Sequence, residues 1–350
     1  MRVLTVRNVH RALPQGLQLL DEEGIRRNSR NGPVIMIPGG VTTVYTQPTE
    51  RVIFWAQRDA NPFFHLFEAM WMLDGREDVV PLVRYAKQMA QYSDDGSTFH
   101  GAYGYRWRQY QTGGYPEKFD QLEKIVSILR KNSDDRRCVL QMWDPGDDLG
   151  SSSKDVPCNL TVTFQRDAAG RLDMVVFNRS NDVIWGCYGA NAVHFSVLQE
   201  YLASEIGCEV GTYTQVSVNW HAYVEQYEKL RELPRPSTYS NKAPGGLYGS
   251  GHVRVIPMTG VTRADIRELL READEDGRSL RCWEHPWLQA VAIVLHAHER
   301  WRTRPAPDRF REAFDILSKN DDLVDSDWLT AGREWIQRRW DAWQKKQGIV

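Results

Sequence analysis

Asp155-Val156-Pro157-Cys158-Asn159-Leu160-Thr161-Val162-Thr163-Phe164 is the stretch on which the reading of this chain turns. From Leu160 to Phe164, apolar and β-branched residues give the chemistry of a strand. Pro157 fixes φ and removes a backbone donor, so it can hold the next residue at the strand entrance, outside the ladder. A cysteine placed there can face a cleft. Further on, Arg179-Ser180-Asn181-Asp182 forms a second polar knot. A cation beside a cysteine favours the thiolate, and the thiolate is the nucleophile. An isolated cysteine is more often a buried structural thiol. It is the surroundings that point Cys158 toward chemistry.

The chain has 350 residues, of which 41% are hydrophobic and 26% charged, the balance of a globular protein with a sizeable core. Its net charge of −2 argues against a general nucleic-acid or anionic-membrane partner. The five cysteines are scattered and odd in number, which suits neither a disulfide framework nor a paired-cysteine zinc site, so no metal is expected. No apolar run approaches the roughly 18 residues of a membrane span. The start, Met1-Arg2-Val3-Leu4-Thr5-Val6-Arg7, lacks the pattern of a secretory signal. These features predict a reduced cytoplasmic protein, or one in the host cytoplasm if it is phage-encoded.

Residues 1–50 read as short strands and turns. Residues 60–92 read as helical, with Phe63, Phe64, Phe67, Met70 and Trp71 at helical spacing, Gly75 closing a first helix, and a second helix over 79–92. Gly101 and Gly104 permit close backbone approach. An amphipathic helix is expected over 117–131. Strands are expected over 138–143, 160–165, 172–178 and 213–218. Helices are expected over 192–206 and 219–230. Pro234, Pro236, Pro244, Gly245 and Gly246 mark a linker-like break. The tail reads as helices over 286–301 and 328–346, with Trp335, Ile336, Arg339, Trp340 and Trp343 in a stripe that closes the core.

Three basic knots stand apart: Arg30, the pair Arg136-Arg137, and Arg179 with Ser180. Arginine presents a rigid fork that matches phosphate oxygens. Singly each would be a surface ion pair; together with a hydroxyl they suggest a phosphate cage. His221 and Tyr223 fall on one face if the preceding strand runs that far, where they can bond a sugar hydroxyl. Glu68 is the one acidic residue in the apolar run 63–71, and a carboxylate so placed can shuttle protons.

In combination these motifs resemble the thymidylate synthase family. The likeness runs from about residue 20 to 235 and is carried by Arg30-Asn31-Gly32, Phe67-Glu68 with Trp71 and Gly75, Tyr103-Gly104 with Trp107-Arg108, Asp135-Arg136-Arg137, Trp143-Asp144-Pro145, Pro157-Cys158, Arg179-Ser180-Asn181-Asp182, Gly186, Asn191 and His221-Ala222-Tyr223. The resemblance implies an α+β fold, a bent mixed sheet covered by helices. It implies that Cys158 adds to C6 of a pyrimidine nucleotide and so makes C5 attack the one-carbon unit of 5,10-methylenetetrahydrofolate. Glu68 and Tyr103 would serve proton transfer. Arg30, Arg179 and Ser180 would hold the 5′-phosphate, and Arg136 and Arg137 would reach into a partner's site in a homodimer. Asn191 would read the base, and His221 and Tyr223 the sugar. Asp182 and Gly186 fall to the folate.

The pattern is broken in four places. Asn159 follows the nucleophile where ordinary members carry histidine. Met89-Ala90-Gln91-Tyr92 stands where the family has folate-packing tryptophans. The loop from Gly186 to Asn191 is one residue longer, and the usual closing C-terminal segment is replaced by about a hundred further residues. This divides the chain into a catalytic part, 1–245, and a helical extension, 246–350, packed on the same body. The changes lie where an exocyclic methylene intermediate meets either hydride, giving a methyl group, or water, giving a hydroxymethyl group. A less apolar wall favours water. The reading therefore leans to 5-hydroxymethylation, with reductive methylation of dUMP as the alternative and a silent nucleotide-binding relative as the remote one. Asn191 leans to uracil, although the same amide turned over faces cytosine.

Overall fold

The residues on either side of Cys158 feed one mixed sheet. The structure, a computed structural model, describes residues 1–110, 118–233, 247–275 and 282–349. Its first elements are β1 (Arg2–Val6), α1 (Val9–Glu23), the hairpin β2 (Ile25–Ser29) and β3 (Gly32–Met36), and β4 (Val41–Tyr45). Next come α2 (Pro62–Asp74), α3 (Val79–Tyr85), a 3-10 turn over Lys87–Tyr92 and α4 (Tyr103–Arg108). Then follow α5 (Gln121–Lys131), β5 (Val139–Gln141), α6 (Pro145–Asp148), β6 (Asn159–Arg166), β7 (Leu172–Asp182) and a π-wound turn, Val183–Ala190. α7 (Asn191–Ile206), β8 (Val210–Tyr223) and α8 (Val224–Leu230) precede the C-terminal helices α9 (Arg263–Asp274), α10 (Pro286–Thr303), α11 (Asp308–Ser318) and α12 (Asp327–Gln347).

The sheet order is β1-β4-β8-β7-β6-β5, with the β2–β3 hairpin attached to the far half of β8. β1 with β4 and β7 with β8 run parallel, and the other pairs run antiparallel. The fold is thus α+β with a mixed eight-stranded sheet. α7 packs on β7 and β8 and is buried on nearly every side, as a helix apolar all round must be.

Several elements differ from the sequence reading. Residues 1–50 contain α1, whose stripe Val9, Leu13, Leu17 and Leu20 is buried. Pro14 and Gly16 disguise it, but Asn8 caps it by accepting from the Arg11 amide at 3.0 Å. The expected helix over 219–230 begins only at Val224, because β3 supplies ladder partners that carry β8 through His221 and Tyr223. The helix over 79–92 breaks at Ala86 into α3 and the 3-10 turn. The linker-like break, Pro234 to Gly246, and with it the expected 245/246 boundary, lies outside the described residues. α9 and α11 escaped the sequence reading, whereas α10 and α12 occupy the two expected tail helices.

Close approach explains the glycines at the start of α4. A Cβ on Gly104 would collide with the α2 backbone at Met72, and one on Gly101 would lie 2.5 Å from the Asp155 carbonyl oxygen. α2 also contacts α7, α9, α10 and α12. A buried polar knot ties the parts together. Arg51 pairs with Glu200 of α7, which also accepts from the Met258 amide at 3.1 Å. The Tyr248 hydroxyl donates to Asp327 at 2.8 Å. Among the described residues no helix is long and apolar enough to cross a membrane.

Burial pushes the Asp327 carboxyl up to about 7, against the hydrogen bond from Tyr248 and the charge of Arg51. A carboxyl raised in the folded state binds its proton more tightly there, so its contribution to stability falls as pH climbs from about 4 to 7. Asp327→Asn keeps an acceptor for Tyr248 and removes this penalty. Urea denaturation should show the variant gaining about 2 kcal/mol more over the parent at pH 8 than at pH 5. An equal gain or loss at both values would contradict the burial of that charge.

Candidate active site

Cys158 ends a loop held from three sides. The Arg179 guanidinium donates from Nε to the Pro157 carbonyl at 2.8 Å and from Nη2 to that of Val156 at 2.9 Å. The Arg179 amide donates to the Cys158 carbonyl at 2.9 Å. The Tyr103 hydroxyl accepts from the amides of Cys158 and Asn159, at 3.0 and 3.2 Å. Asp155 accepts from the Gly101 amide at 2.9 Å. Because Pro157 offers no donor and β6 starts only at Asn159, these bonds do the work that a ladder would do.

The loop borders a cleft of about 2000 Å³. Glu68, Tyr103, Arg30, Arg179, Ser180, Asp182, Gly186, Asn191, His221 and Tyr223 all line it with Cys158, so residues distant in sequence meet on one surface. Arg30 stands at the tip of the β2–β3 hairpin. His221 faces Tyr223 edge-on at 5.5 Å and uses Nδ1 on the Asn219 carbonyl at 3.3 Å. Glu68 lies 3.1 Å from His194 Nε2 of α7. Asp182 caps the π-wound turn, accepting from the Ile184 and Trp185 amides at 2.7 and 2.9 Å. Its second oxygen, Oδ2, is buried without a partner among the described residues, and burial raises this carboxyl above the ordinary range. Arg136 and Arg137 are not brought to this cleft; both are exposed just before β5, and Arg137 pairs with Asp135.

One expectation reverses. The arginines do pull on Cys158, but desolvation outweighs them, and the Asp155 carboxylate adds to the rise, so the thiol is pushed up and rests protonated. A sulfur in this state can act as a nucleophile only with loss of its proton.

Other lining residues gave no sequence signal. Arg58 lies over the Trp185 ring at 4.5 Å and donates to the Ile184 carbonyl at 2.9 Å, and burial lowers it to about 10. Trp301 and Arg302 of α10, Arg309 of α11 and Arg339 of α12 form the far wall. Arg309 lies 4.6 Å over Trp301, and Arg339 pairs with Asp59. The stripe read as core is core at Trp335 and Ile336, while its own Arg339 reaches the cleft, as does Trp301 of α10. No pattern in the sequence separates those two uses of a tryptophan-rich helix. Met89, Gln91 and Tyr92, at the place of the missing tryptophans, also line the cleft.

The sequence profile of the family described as "Thymidylate synthase" matches residues 18–242. A protein of Pseudomonas phage M6 named deoxyuridylate hydroxymethyltransferase is 48% identical over 355 aligned positions, covering 99% of this chain and 97% of the relative. Proteins of the same name from Bacillus phage SP01 and Delftia phage PhiW-14 are 38% and 26% identical, covering 52% and 78% of this chain and 49% and 77% of theirs.

The resting state of the sulfur is open to direct measurement. Alkylation of Cys158 by iodoacetamide, followed by peptide mass spectrometry, should still be accelerating at pH 9, because the thiolate fraction is small below that point. Asp155→Asn removes a charge that raises the thiol and should speed alkylation at pH 7.5 severalfold. A rate that levels off below pH 8 in the parent protein would contradict the protonated resting thiol.

Proposed function

The chain belongs to the thymidylate synthase family, and on that premise we propose that it transfers a one-carbon unit from 5,10-methylenetetrahydrofolate to C5 of dUMP and leaves it there as a hydroxymethyl group. The observation that carries this reading is the likeness over essentially the whole chain, extension included, to a protein named for that reaction. The cleft supports it. At one end Arg30, Arg179 and Ser180 suit a 5′-phosphate. His221 and Tyr223 suit the sugar hydroxyl, and Asn191 the base. Beyond them, Trp185 and Asp182 suit a pterin. The cationic far rim, Arg84, Lys87, Arg302 and Arg309, suits the folate's glutamate carboxylates.

In this reading the Cys158 sulfur loses its proton and bonds to C6, and the displaced electron pair makes C5 a nucleophile. C5 bonds to the one-carbon unit, loses its own proton and expels tetrahydrofolate, which leaves an exocyclic methylene. Water then adds its oxygen to that carbon, the sulfur departs and the ring double bond returns. No oxidation or reduction occurs, so the folate leaves as tetrahydrofolate. Glu68 with His194, and the Tyr103 hydroxyl, are the groups at hand to move protons. Polar Gln91 and flexible Met89 in place of a dry aromatic wall favour the entry of water over hydride transfer.

We assign residues 246–350 to the same catalytic body, as the far wall of the folate end. We also propose a homodimer. Phe177 and Val216 are cross-strand neighbours on a sheet face where Phe177 and Val218 remain exposed. Arg136 and Arg137 would extend from that dimer to the partner's phosphate end.

Purified protein with dUMP and methylenetetrahydrofolate should yield 5-hydroxymethyl-dUMP by mass spectrometry, with no dihydrofolate formed, and Cys158→Ser should lower the rate by at least about 10³-fold. A methyl product with equimolar dihydrofolate would overturn the reading. Arg309→Ala should raise the KM for folate about tenfold with the KM for dUMP unchanged, since it removes binding at one end only.

A further inference from the structure

A row of buried amides runs from the sheet core to the cleft and ends beside the nucleophile. Gln215, on β8, donates from Nε2 to the Cys187 carbonyl at 2.9 Å and to the Tyr45 hydroxyl at 3.0 Å. The Tyr45 hydroxyl has given its own proton to that same carbonyl, at 3.1 Å, so it can only accept from Gln215. A backbone carbonyl accepts and never donates. The end of Gln215 that faces Cys187 and Tyr45 is therefore its nitrogen, and Oε1 must face the other way, toward Asn181 Nδ2 at 3.0 Å. The consequence propagates. Asn181 Oδ1 accepts from Asn191 Nδ2 at 3.0 Å, and Asn191 Oδ1 accepts from Asn159 Nδ2 at 3.3 Å. Asn159, Asn181 and Gln215 are buried, so water cannot substitute for a lost link. Gly186 leaves the room: a Cβ there would sit 2.8 Å from Asn181 Oδ1 and 3.2 Å from Asn191 Nδ2.

We propose that Gln215 is a positioning residue that sets, through Asn181, which way round the Asn191 amide stands, and thereby makes the site accept uracil and refuse cytosine. The proposal rests on the reading that Asn191 faces the pyrimidine. An unconstrained asparagine serves either base, because turning its amide exchanges donor for acceptor. Here the turn is blocked. It would set oxygen against Asn181 Oδ1, whose direction Gln215 fixes, losing that hydrogen bond and opposing like dipoles in a buried place. The polarity also concentrates acceptors at the cleft end. Asn191 Oδ1 keeps one lone pair, and Asn159 Oδ1 is buried with no partner among the described residues. That end calls for a donor. Uracil offers N3–H, whereas cytosine presents a bare N3. Asn159, which replaces the histidine of ordinary members, thus closes the relay.

The test is the ratio of kcat/KM for dUMP to that for dCMP, read by tritium release from C5. Gln215→Met removes the anchor at little change in volume. Asn181 can then turn over, with the Ser217 hydroxyl, now 3.0 Å from its Nδ2, donating in place of accepting. The ratio should fall at least about tenfold, since the anchored hydrogen bond to Asn181 and the opposed dipoles no longer resist the turn. Ser217→Ala leaves the anchor intact and should hold the ratio within about twofold. If Gln215→Met does not fold by circular dichroism, Asn181→Ala replaces it. It removes the link through which Gln215 acts on the Asn191 amide and should lower the ratio likewise. A folded Gln215→Met, or failing that Asn181→Ala, with the parent ratio overturns the inference. So does Ser217→Ala losing as much as Gln215→Met. A parent protein that releases no tritium from dUMP would instead sink the proposed function and leave the two failures distinct.

Discussion

The fixing of the Cys158 loop by Arg179 and Tyr103 is the constraint on which the rest of the site depends. A strand would ordinarily hold its residues by ladder bonds, but Pro157 has no donor and the ladder starts one residue beyond the cysteine. The guanidinium of Arg179 closes the gap by bonding two successive carbonyls, while a single phenol oxygen gathers two successive amides. Arg179 is thus spent partly on the chain itself. Its remaining charge opposes the desolvation of the sulfur without overcoming it.

Around this loop the architecture supplies a cleft with two unlike ends. The long strand β8 is the common element: one edge pairs with β7, which carries Arg179 and Ser180, and the other with β4 and then β3, next to Arg30. That pairing brings arginines from remote parts of the chain to one end. The opposite end is walled by α10, α11 and α12, held in place where α10 and α12 meet α2 and by the buried contacts of Arg51, Glu200, Tyr248 and Asp327. Stability of the extension and shape of the cleft are consequently one question, because the residues that pack Trp335 against Phe63 also present Trp301 and Arg339 to the opening.

Much of this was legible in the residues themselves. Arg30, Arg179, Glu68 and His221 stand out because their types are rarely placed by packing alone, Cys158 because of the sequence around it, and the structure gathers them along one cleft. What was hidden was hidden for physical reasons. α1 carries Pro14 and Gly16 in its interior, so local propensity pointed away from helix while its buried stripe decided for it. The strand through His221 depends on β3, a partner far away in sequence. The state of the Cys158 thiol depends on burial, which arginine spacing does not report. The tryptophan-rich tail looks like core because most of it is core, and only the packing distinguishes Trp301 from Trp335. The amide relay joins residues from four elements and is invisible until the sheet register sets Gln215 beneath Cys187.

The central claim is a covalent bond between the Cys158 sulfur and the pyrimidine. It is tested most directly with 5-fluoro-dUMP and methylenetetrahydrofolate, because fluorine at C5 cannot leave as the proton does and the reaction stalls while the sulfur is attached. Mass spectrometry of the intact protein and its peptides should show nucleotide and folate together on the peptide bearing Cys158, and nothing on Cys158→Ser. An adduct on another residue, or turnover of dUMP that continues in Cys158→Ser at the parent rate, would contradict the account.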